Sequence, residues 1–322
     1  MKSVLEMLAG GDFVSGEKIS RELGVSRVAV WKRISALREQ GWQIESGGKR
    51  GYRLNAGDSL DPALWAGGLT TSRLGRGENR YEKEVTSTNT VIKEMALAGA
   101  PDGSVCVAES QTAGKGRLGR SWSAPAGKGL WVSVLLQPRL QPACAPFITL
   151  CAAMAMARAV QETAGVDVKI KWPNDLVADG RKICGILLEL SADPDSIEYV
   201  VVGTGLNVHP GAYPPELEGR AASVGELADE TPLRREILSR YLTALEELVE
   251  RLEREDFGSL AAEYREQSCT LGQEVQVSGA VELTGVADAI DTTGALIVRT
   301  ADGERHRLLS GDVSVRGVMG YV

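Results

Sequence analysis

Nine residues near the middle of the chain limit most strongly what it can become: Gly114-Lys115-Gly116-Arg117-Leu118-Gly119-Arg120-Ser121-Trp122. Three glycines and three cations fall in the first seven positions. Glycine admits positive φ and lets a ligand come close to the backbone. The neighbouring Lys and Arg supply donors and charge for phosphate or carboxylate. Gly114, Gly116 and Gly119 even spell G-x-G-x-x-G. A dinucleotide fold demands more, because its glycines open a helix and an acid follows about 20 residues later. Here Pro125, Gly127 and Gly129 follow, and no Asp or Glu appears before Glu162. The Rossmann reading therefore falls away. A P-loop fails too, since G-x-x-x-x-G-K-[ST] is absent.

The surroundings agree with an anion site. Residues 110–161 hold no acid at all but contain Lys115, Arg117, Arg120, Lys128, Arg139 and Arg158, within a chain of net charge −7. Length allows two or three domains in 322 residues. Five cysteines without a CxxC pair argue against a disulfide framework and fit a reducing cytoplasm. Two histidines make a His-based triad or a His-rich metal site improbable. The longest apolar run, 144–157, is too short for a membrane span and reads as a buried helix. The N-terminus shows no signal-peptide pattern.

Charge is uneven along the chain. Residues 1–55 hold ten Lys and Arg against six Asp and Glu, while the remainder holds 26 against 37. A basic module on an acidic body points to nucleic acid. Leu5 and Leu8 give a first short helix, and Ile19 and Leu23 a second. Gly24 supplies a turn, and Ser26 can cap a third helix over 27–40. Val30, Ile34 and Leu37 face its core side, leaving Arg27, Lys32, Arg33 and Arg38 outside. A strand at 42–45, a basic loop with Lys49 and Arg50, and 52–54 read as a wing. The module is a winged helix-turn-helix, with Ser26, Arg27, Lys32, Arg33, Lys49 and Arg50 as its DNA set. The plainer alternative is a basic protein-interaction domain. Trp31 is open between DNA and core, and the core is preferred.

Residues 56–80 read as a linker and lead-in. Ser87, Thr88 and Asn89 join a strand to a helix at 90–98, either as caps or as polar ligand contacts. Strands are expected at 105–108, 129–136 and 200–208, and an apolar helix at 147–164. A strand at 168–172 ends at Pro173. Asn174 and Asp175 turn the chain, and 181–189 returns, which would bring Lys171, Asp175 and Lys182 together. The helix at 233–256 reads as a solvated cover. Val275, Val277, Val281, Leu283, Leu296, Val298, Val313 and Val315 alternate with polar residues as in a small β-barrel.

Taken together, Ser87-Thr88-Asn89, Gln111, the glycine–cation loop, Lys171-Trp172-Pro173-Asn174-Asp175 and Lys182 resemble the biotin protein ligases. With the winged helix in front, the chain resembles their bifunctional, operon-repressing bacterial form over nearly its whole length. That resemblance implies an α+β multidomain chain. A winged helix over 1–58 and a lead-in over 59–80 precede a class II synthetase-like mixed-sheet ligase domain over 81–268. An SH3-like β-barrel over 269–322 follows. It further implies ATP with Mg²⁺, a biotin carboxyl carrier protein and operator DNA as partners, a homodimer when biotinyl-AMP is bound, and no membrane.

By motif position, the resemblance gives Ser87, Thr88, Asn89 and Gln111 to the biotin head, and Lys115, Gly116 and Arg117 to its tail and the phosphate. Lys182 stands at the carboxylate–phosphate junction. Asp175 orients or deprotonates the incoming lysine. Arg120, Trp122, Lys171, Asn174, Gly185, Gly205 and Asn207 serve the adenylate. Arg117, Lys182 and Asp175 form the catalytic set, and no metal ligand is assigned. Two departures stand out. Lys115 occupies a position often held by Arg, and no aromatic occupies 221–223, where some relatives stack one on adenine. A non-catalytic biotin sensor and a lipoate-type acyl ligase are the alternatives.

Overall fold

A computed structural model describes residues 3–255, 257–279, 282–291, 294–308 and 313–317. Helices α1 (Val4–Leu8), α2 (Gly16–Leu23) and α3 (Arg27–Glu39) pack with a hairpin of β1 (Ile44–Ser46) and β2 (Tyr52–Leu54). Serine opens each helix. Ser3 forms a capping box with Glu6, Ser15 accepts from the Lys18 amide, and Ser26 accepts from the Ala29 amide at 3.2 Å. Gly24 turns α2 into α3 at φ 62°, a left-handed conformation that suits glycine. Leu8, Ile19, Val30, Ile34 and Leu54 close a small core of their own. Trp31 is not part of it: the indole is 57% exposed. Val30 and Ile34 set the buried face of α3, and the next position round from Val30 turns away from it.

The central domain is a seven-stranded mixed sheet, ordered β3-β4-β5-β9-β8-β7-β6. Its strands are β3 (Asn79–Val85), β4 (Val105–Gln111), β5 (Gly129–Leu136), β6 (Lys169–Lys171), β7 (Asp175–Ala178), β8 (Arg181–Ala192) and β9 (Ile197–Asn207). Only the β3–β4 pair is parallel. Side chains alternate across β4: Val105 and Val107 join the main core, and Cys106 joins a second cluster with Ile92 and Met95. That second cluster lies under α4 (Thr88–Leu97). The main core lies under α5 (Ala145–Ala164), α6 (Arg234–Glu255) and α7 (Gly258–Gln267). By length and composition residues 142–164 could cross a membrane, but α5 is buried in this core.

Three expectations need correction. The chain does not run directly from 172 to a returning strand. It turns at 172–174, forms β7 from Asp175, and turns again at Asp179-Gly180, whose φ values are 49° and 67°. The turn at Asn174 is kept as the β6–β7 hairpin, and the Asp179-Gly180 pair, a strong hairpin signal, adds the second. Helix α4 begins at Thr88 rather than 90, because Ser87 takes the N-cap position in an extended conformation. Helix α6 covers the core through Ile237, Tyr241, Leu245, Leu248 and Leu252 as expected, but its charged residues are not all solvated. Arg234, Arg235 and Glu246 are buried on it.

Those three side chains hold the segment expected as a linker. Arg234 donates to both Asp58 and Glu109, at 2.7 and 2.9 Å. Arg235 donates to the carbonyls of Gly57 and Ala9, at 2.6 and 2.7 Å, and so reaches the winged helix. Glu246 accepts the backbone amides of Ser72, Arg73 and Leu74 at 2.6–2.8 Å. Leu60, Trp65, Leu69 and Leu74 are buried in the central core, and Leu64 in the winged-helix core.

The C-terminal domain is an antiparallel sheet ordered β13-β12-β11-β10-β14. Its strands are β10 (Glu274–Gly279), β11 (Leu283–Ile290), β12 (Leu296–Arg299), β13 (Arg305–Leu308) and β14 (Val313–Gly317). Val275, Val277, Leu296 and Val298 continue the central core. Val281, expected in the same pattern, lies outside the described residues. Trp172 fastens the two domains: its amide donates to Thr270 Oγ1 at 2.9 Å and its indole N–H to the Gly294 carbonyl at 3.2 Å.

Candidate active site

A pocket of about 410 Å³ opens over the ends of β4, β8 and β9. Its wall brings together most of the expected residues: Ser87, Asn89, Gln111, Lys115, Gly116, Arg117, Arg120, Trp122, Lys171, Asn174, Asp175, Lys182, Gly185 and Gly205. These come from segments far apart in sequence. Thr88 and Asn207 are the two expected residues that stand behind this wall.

The glycine–cation loop is a closed turn. Gly116 N–H donates to the Arg120 carbonyl at 2.7 Å, and Trp122 N–H to the Gly114 carbonyl at 2.8 Å. At its tip Leu118 has φ 55° and is 63% exposed. A branched residue held there is under backbone strain, a condition found at ligand clamps. Arg117 Nη1 donates to Asn174 Oδ1 at 2.9 Å and so ties the loop to the β6–β7 turn. Asn174 in turn clasps β8, giving its Nδ2 proton to the Ile186 carbonyl and taking the Ile186 amide, at 2.8 and 2.9 Å.

At one end of the pocket lies a polar network. Ser87 makes no side-chain cap bond, so its hydroxyl is not spent on the helix. Thr88 donates from N and from Oγ1 to Gln111 Oε1, at 2.8 and 3.2 Å. Thr88 thus fixes which way the Gln111 amide points. Ser133 Oγ lies 2.7 Å from Thr88 Oγ1 and 2.6 Å from Asn89 Oδ1. Asn89 Nδ2 donates to Glu189 at 2.7 Å, and Glu189 is also paired with Lys93. Burial works against the Glu189 charge, but the hydrogen bonds from Lys93 and Asn89 hold its carboxyl below the ordinary value. Gly203 makes room for this arrangement, because a Cβ there would stand 2.1 Å from Asn89 Oδ1.

At the other end Lys182 Nζ is 2.7 Å from Asp175 Oδ1. The same ammonium lies 5.2 Å from the centre of the Trp122 ring. The indole rests on two glycines: a Cβ at Gly205 would be 2.6 Å from its Nε1, and one at Gly185 3.0 Å from its Cζ3. Trp122 Nε1 is buried without a partner among the described residues, as is Asn207 Oδ1. Asn207 Nδ2 donates to the Ala222 carbonyl at 3.0 Å and so anchors the segment beside the pocket. Lys182 grips the same segment through Arg220 O and Ala222 N, each at 2.9 Å.

Sequence reasoning missed Arg220 and Leu217, which line this end. They lie in a stretch with no motif: pairing with Lys182 places Arg220, and Leu217 is held by accepting the Arg220 and Ala221 amides. Among the described residues, no group of three or more His, Cys, Asp or Glu side chains is placed to hold a metal. Asp175 is the carboxylate in the pocket wall.

On the winged helix, Arg27 and Lys49 line a groove between α3 and the wing. Lys32 and Arg33 are exposed on α3. The Arg50 guanidinium lies 4.1 Å from the centre of the Phe13 ring. Ser26 is spent as a helix cap.

Comparisons with known proteins agree with this geometry. Residues 81–207 match the model of the Biotin/lipoate A/B protein ligase family, 1–53 an HTH domain, and 270–316 the Biotin protein ligase C terminal domain. The Bifunctional ligase/repressor BirA of Bacillus subtilis is 34% identical, over 98% of each chain. The Biotin–[acetyl-CoA-carboxylase] ligase of Mycobacterium tuberculosis is 36% identical over 80% of this chain and 97% of its own length. The biotin protein ligase of Aquifex aeolicus, solved with biotin and ATP, superposes with a TM-score of 0.64 at 28% identity. That match covers 74% of this chain and 99% of the other. Winged helix, ligase core and C-terminal sheet are matched in order along one full-length relative, and the chain belongs to the bifunctional biotin protein ligase/repressor family.

Proposed function

We propose that the chain activates biotin with ATP, transfers it to a lysine of a biotin carboxyl carrier protein, and represses biotin-synthesis genes. The observation that carries this reading is the pocket itself, where a polar recognition end and a cationic end meet under one glycine-rich loop. Ser87, Asn89 and Gln111 hold the ureido head, with Thr88 setting the Gln111 amide. Lys115, Gly116 and Arg117 cover the valeryl tail and the α-phosphate. The biotin carboxylate attacks the α-phosphorus and pyrophosphate leaves, giving biotinyl-5′-AMP. No protein nucleophile is needed. Lys182 neutralises the two anions as they meet, which fixed charge does more effectively than water.

In the second step a carrier lysine attacks the biotinyl carbonyl, AMP leaves, and Asp175 takes the ammonium proton. The Lys182–Asp175 pair keeps both groups at the reacting end. Trp122 on Gly185 and Gly205, with Arg120, Lys171, Asn174 and Arg220, surrounds the nucleotide, and Asn207 anchors the wall behind it. Mg²⁺ would accompany ATP and neutralise its phosphates, since the described residues offer no cluster of acidic side chains to hold the ion by themselves.

The free edge of β8 suits a second copy of the chain. β7 pairs with it only from Arg181 to Gly185, and Asn174 takes Ile186. Beyond that, among the described residues, β8 pairs only with β9, and Leu190 is 45% exposed. A bare strand edge pairs with another strand. We assign it to a homodimer formed with biotinyl-AMP bound, which presents two winged helices to a palindromic operator. Ser26, Arg27, Lys32, Arg33, Lys49 and Arg50 form the DNA-facing set, in a protein of the reducing cytoplasm whose five cysteines are unpaired.

Apo carrier protein, ATP, and either biotin or lipoate should yield a biotinyl mass addition on one carrier lysine. Lipoyl addition alone would make the chain a lipoate ligase. No addition with either acid, while biotin still binds, would make it a sensor.

A further inference from the structure

Among the described residues six large apolar side chains are strongly exposed, and two of them lie side by side on α3. Val28 is 65% and Trp31 57% exposed. The fold does not need them there, since α3 buries Val30 and Ile34. Single exposed apolar residues are ordinary, but an adjacent pair on a basic helix marks a surface that meets something. Both line the groove between α3 and the wing with Arg27, Lys49 and a single acid, Glu17, and Lys32 and Arg33 are exposed on the same helix. That charge pattern selects a polyanion with an apolar feature within reach.

DNA supplies that combination. The major groove admits a helix and displays one apolar group, the C5-methyl of thymine. We propose that Val28 and Trp31 pack on thymine methyl groups and make thymine a requirement of the operator half-site. Arg27 and Lys49 hold the flanking phosphates and fix the register of α3. The inference rests on the DNA-binding reading and adds to it the base that is read and the side chains that read it. Burying one methyl group corresponds to about a fourfold change in affinity.

The test starts from a randomised duplex library, selected with the full chain in the presence of biotin and ATP. The selected duplex is then remade with uracil in place of thymine, one position at a time, which removes only the methyl group. Wild-type protein should lose about three- to tenfold at one or two positions in each half-site. Val28→Ala and Trp31→Ala should each erase that loss at one position and keep the salt dependence of binding. Normal carrier biotinylation by both variants verifies their fold.

Equal affinity for thymine and uracil duplexes at every position would overturn the proposal. So would methyl sensitivity that survives both substitutions. Unchanged binding of Trp31→Ala to every duplex would assign that indole to a protein partner instead. No enrichment from the library would sink the DNA-binding reading itself, an outcome distinct from enrichment without methyl sensitivity.

Discussion

Gly205→Ala should disable adenylation while sparing the fold. The added Cβ would stand 2.6 Å from Trp122 Nε1 and 2.9 Å from its Cε2. Ordinary contact needs about 3.5–4.0 Å, so the indole must move by roughly 1 Å. Gly205 is fixed between β5 and β8 in the middle of the sheet, and its backbone cannot yield. The ring can move, because one side of it faces the pocket. Overpacking of this kind costs about 1–3 kcal/mol. Displacement into the pocket puts about 1–2 kcal/mol of that cost on the bound nucleotide, and kcat/KM for pyrophosphate release should fall about 5- to 30-fold. The share left in the apo fold, about 1 kcal/mol, should lower Tm by about 2–4 °C. Pyrophosphate release and thermal melting, measured on one preparation, separate the two. Activity within twofold of wild type would refute the seating of Trp122 against the nucleotide. A large fall in Tm with matching loss of activity would refute the claim that the ring has room to move.

Other consequences concern the clamps and the reacting pair. Asp175→Asn should form biotinyl-AMP at a near-normal rate but transfer it about 10²- to 10⁴-fold more slowly, and Lys182→Ala should fail at the first step; single-turnover assays of each half-reaction check both. Arg117→Gly, which frees the loop from Asn174, should release adenylate and label bystander lysines, as mass spectrometry of an added inert protein would show; strict carrier specificity would argue against it. Arg234→Met removes the guanidinium from Asp58 and Glu109, leaving Asp58 with His209 and the residue-234 amide and Glu109 with the Tyr81 hydroxyl, and should cost about 3 kcal/mol in a denaturant titration. Burial opposes the Glu246 charge, yet its amide donors hold the carboxyl below the ordinary value. Its contribution is therefore complete above the ordinary carboxylate range and is lost as pH falls through the lowered value. Glu246→Gln should cost about 1.5–3 kcal/mol at pH 7, with the gap to wild type closing in acid.

Local chemistry made the site legible and left its supports hidden. The glycine–cation loop and the Lys171–Asp175 stretch carry their own signals, and the pocket joins them through Arg117 and Asn174. The capping serine Ser26 marked α3 for the same local reason. Arg234 looked like one more charge on an amphipathic helix, because its partners Asp58 and Glu109 lie far away in sequence. The segment at 56–80 read as a linker because it is rich in Gly, Ser and Asp, which hides the apolar Leu60, Trp65, Leu69 and Leu74. They are buried one at a time by irregular turns. Arg220 had no local signal at all, and its place is set by backbone bonds to Lys182. Trp31 went the other way. Apolar character suggested core, and only the packing of its neighbours shows that the core was already complete without it.

The most direct measurement is a rapid-quench count of pyrophosphate released per chain from biotin and ATP with no carrier present. A pocket that makes biotinyl-AMP and holds it against water predicts a burst of one equivalent followed by a slow phase. Mass spectrometry should then find biotinyl-AMP on the protein until apo carrier is added. No burst, or steady turnover without retained adenylate, would contradict the account.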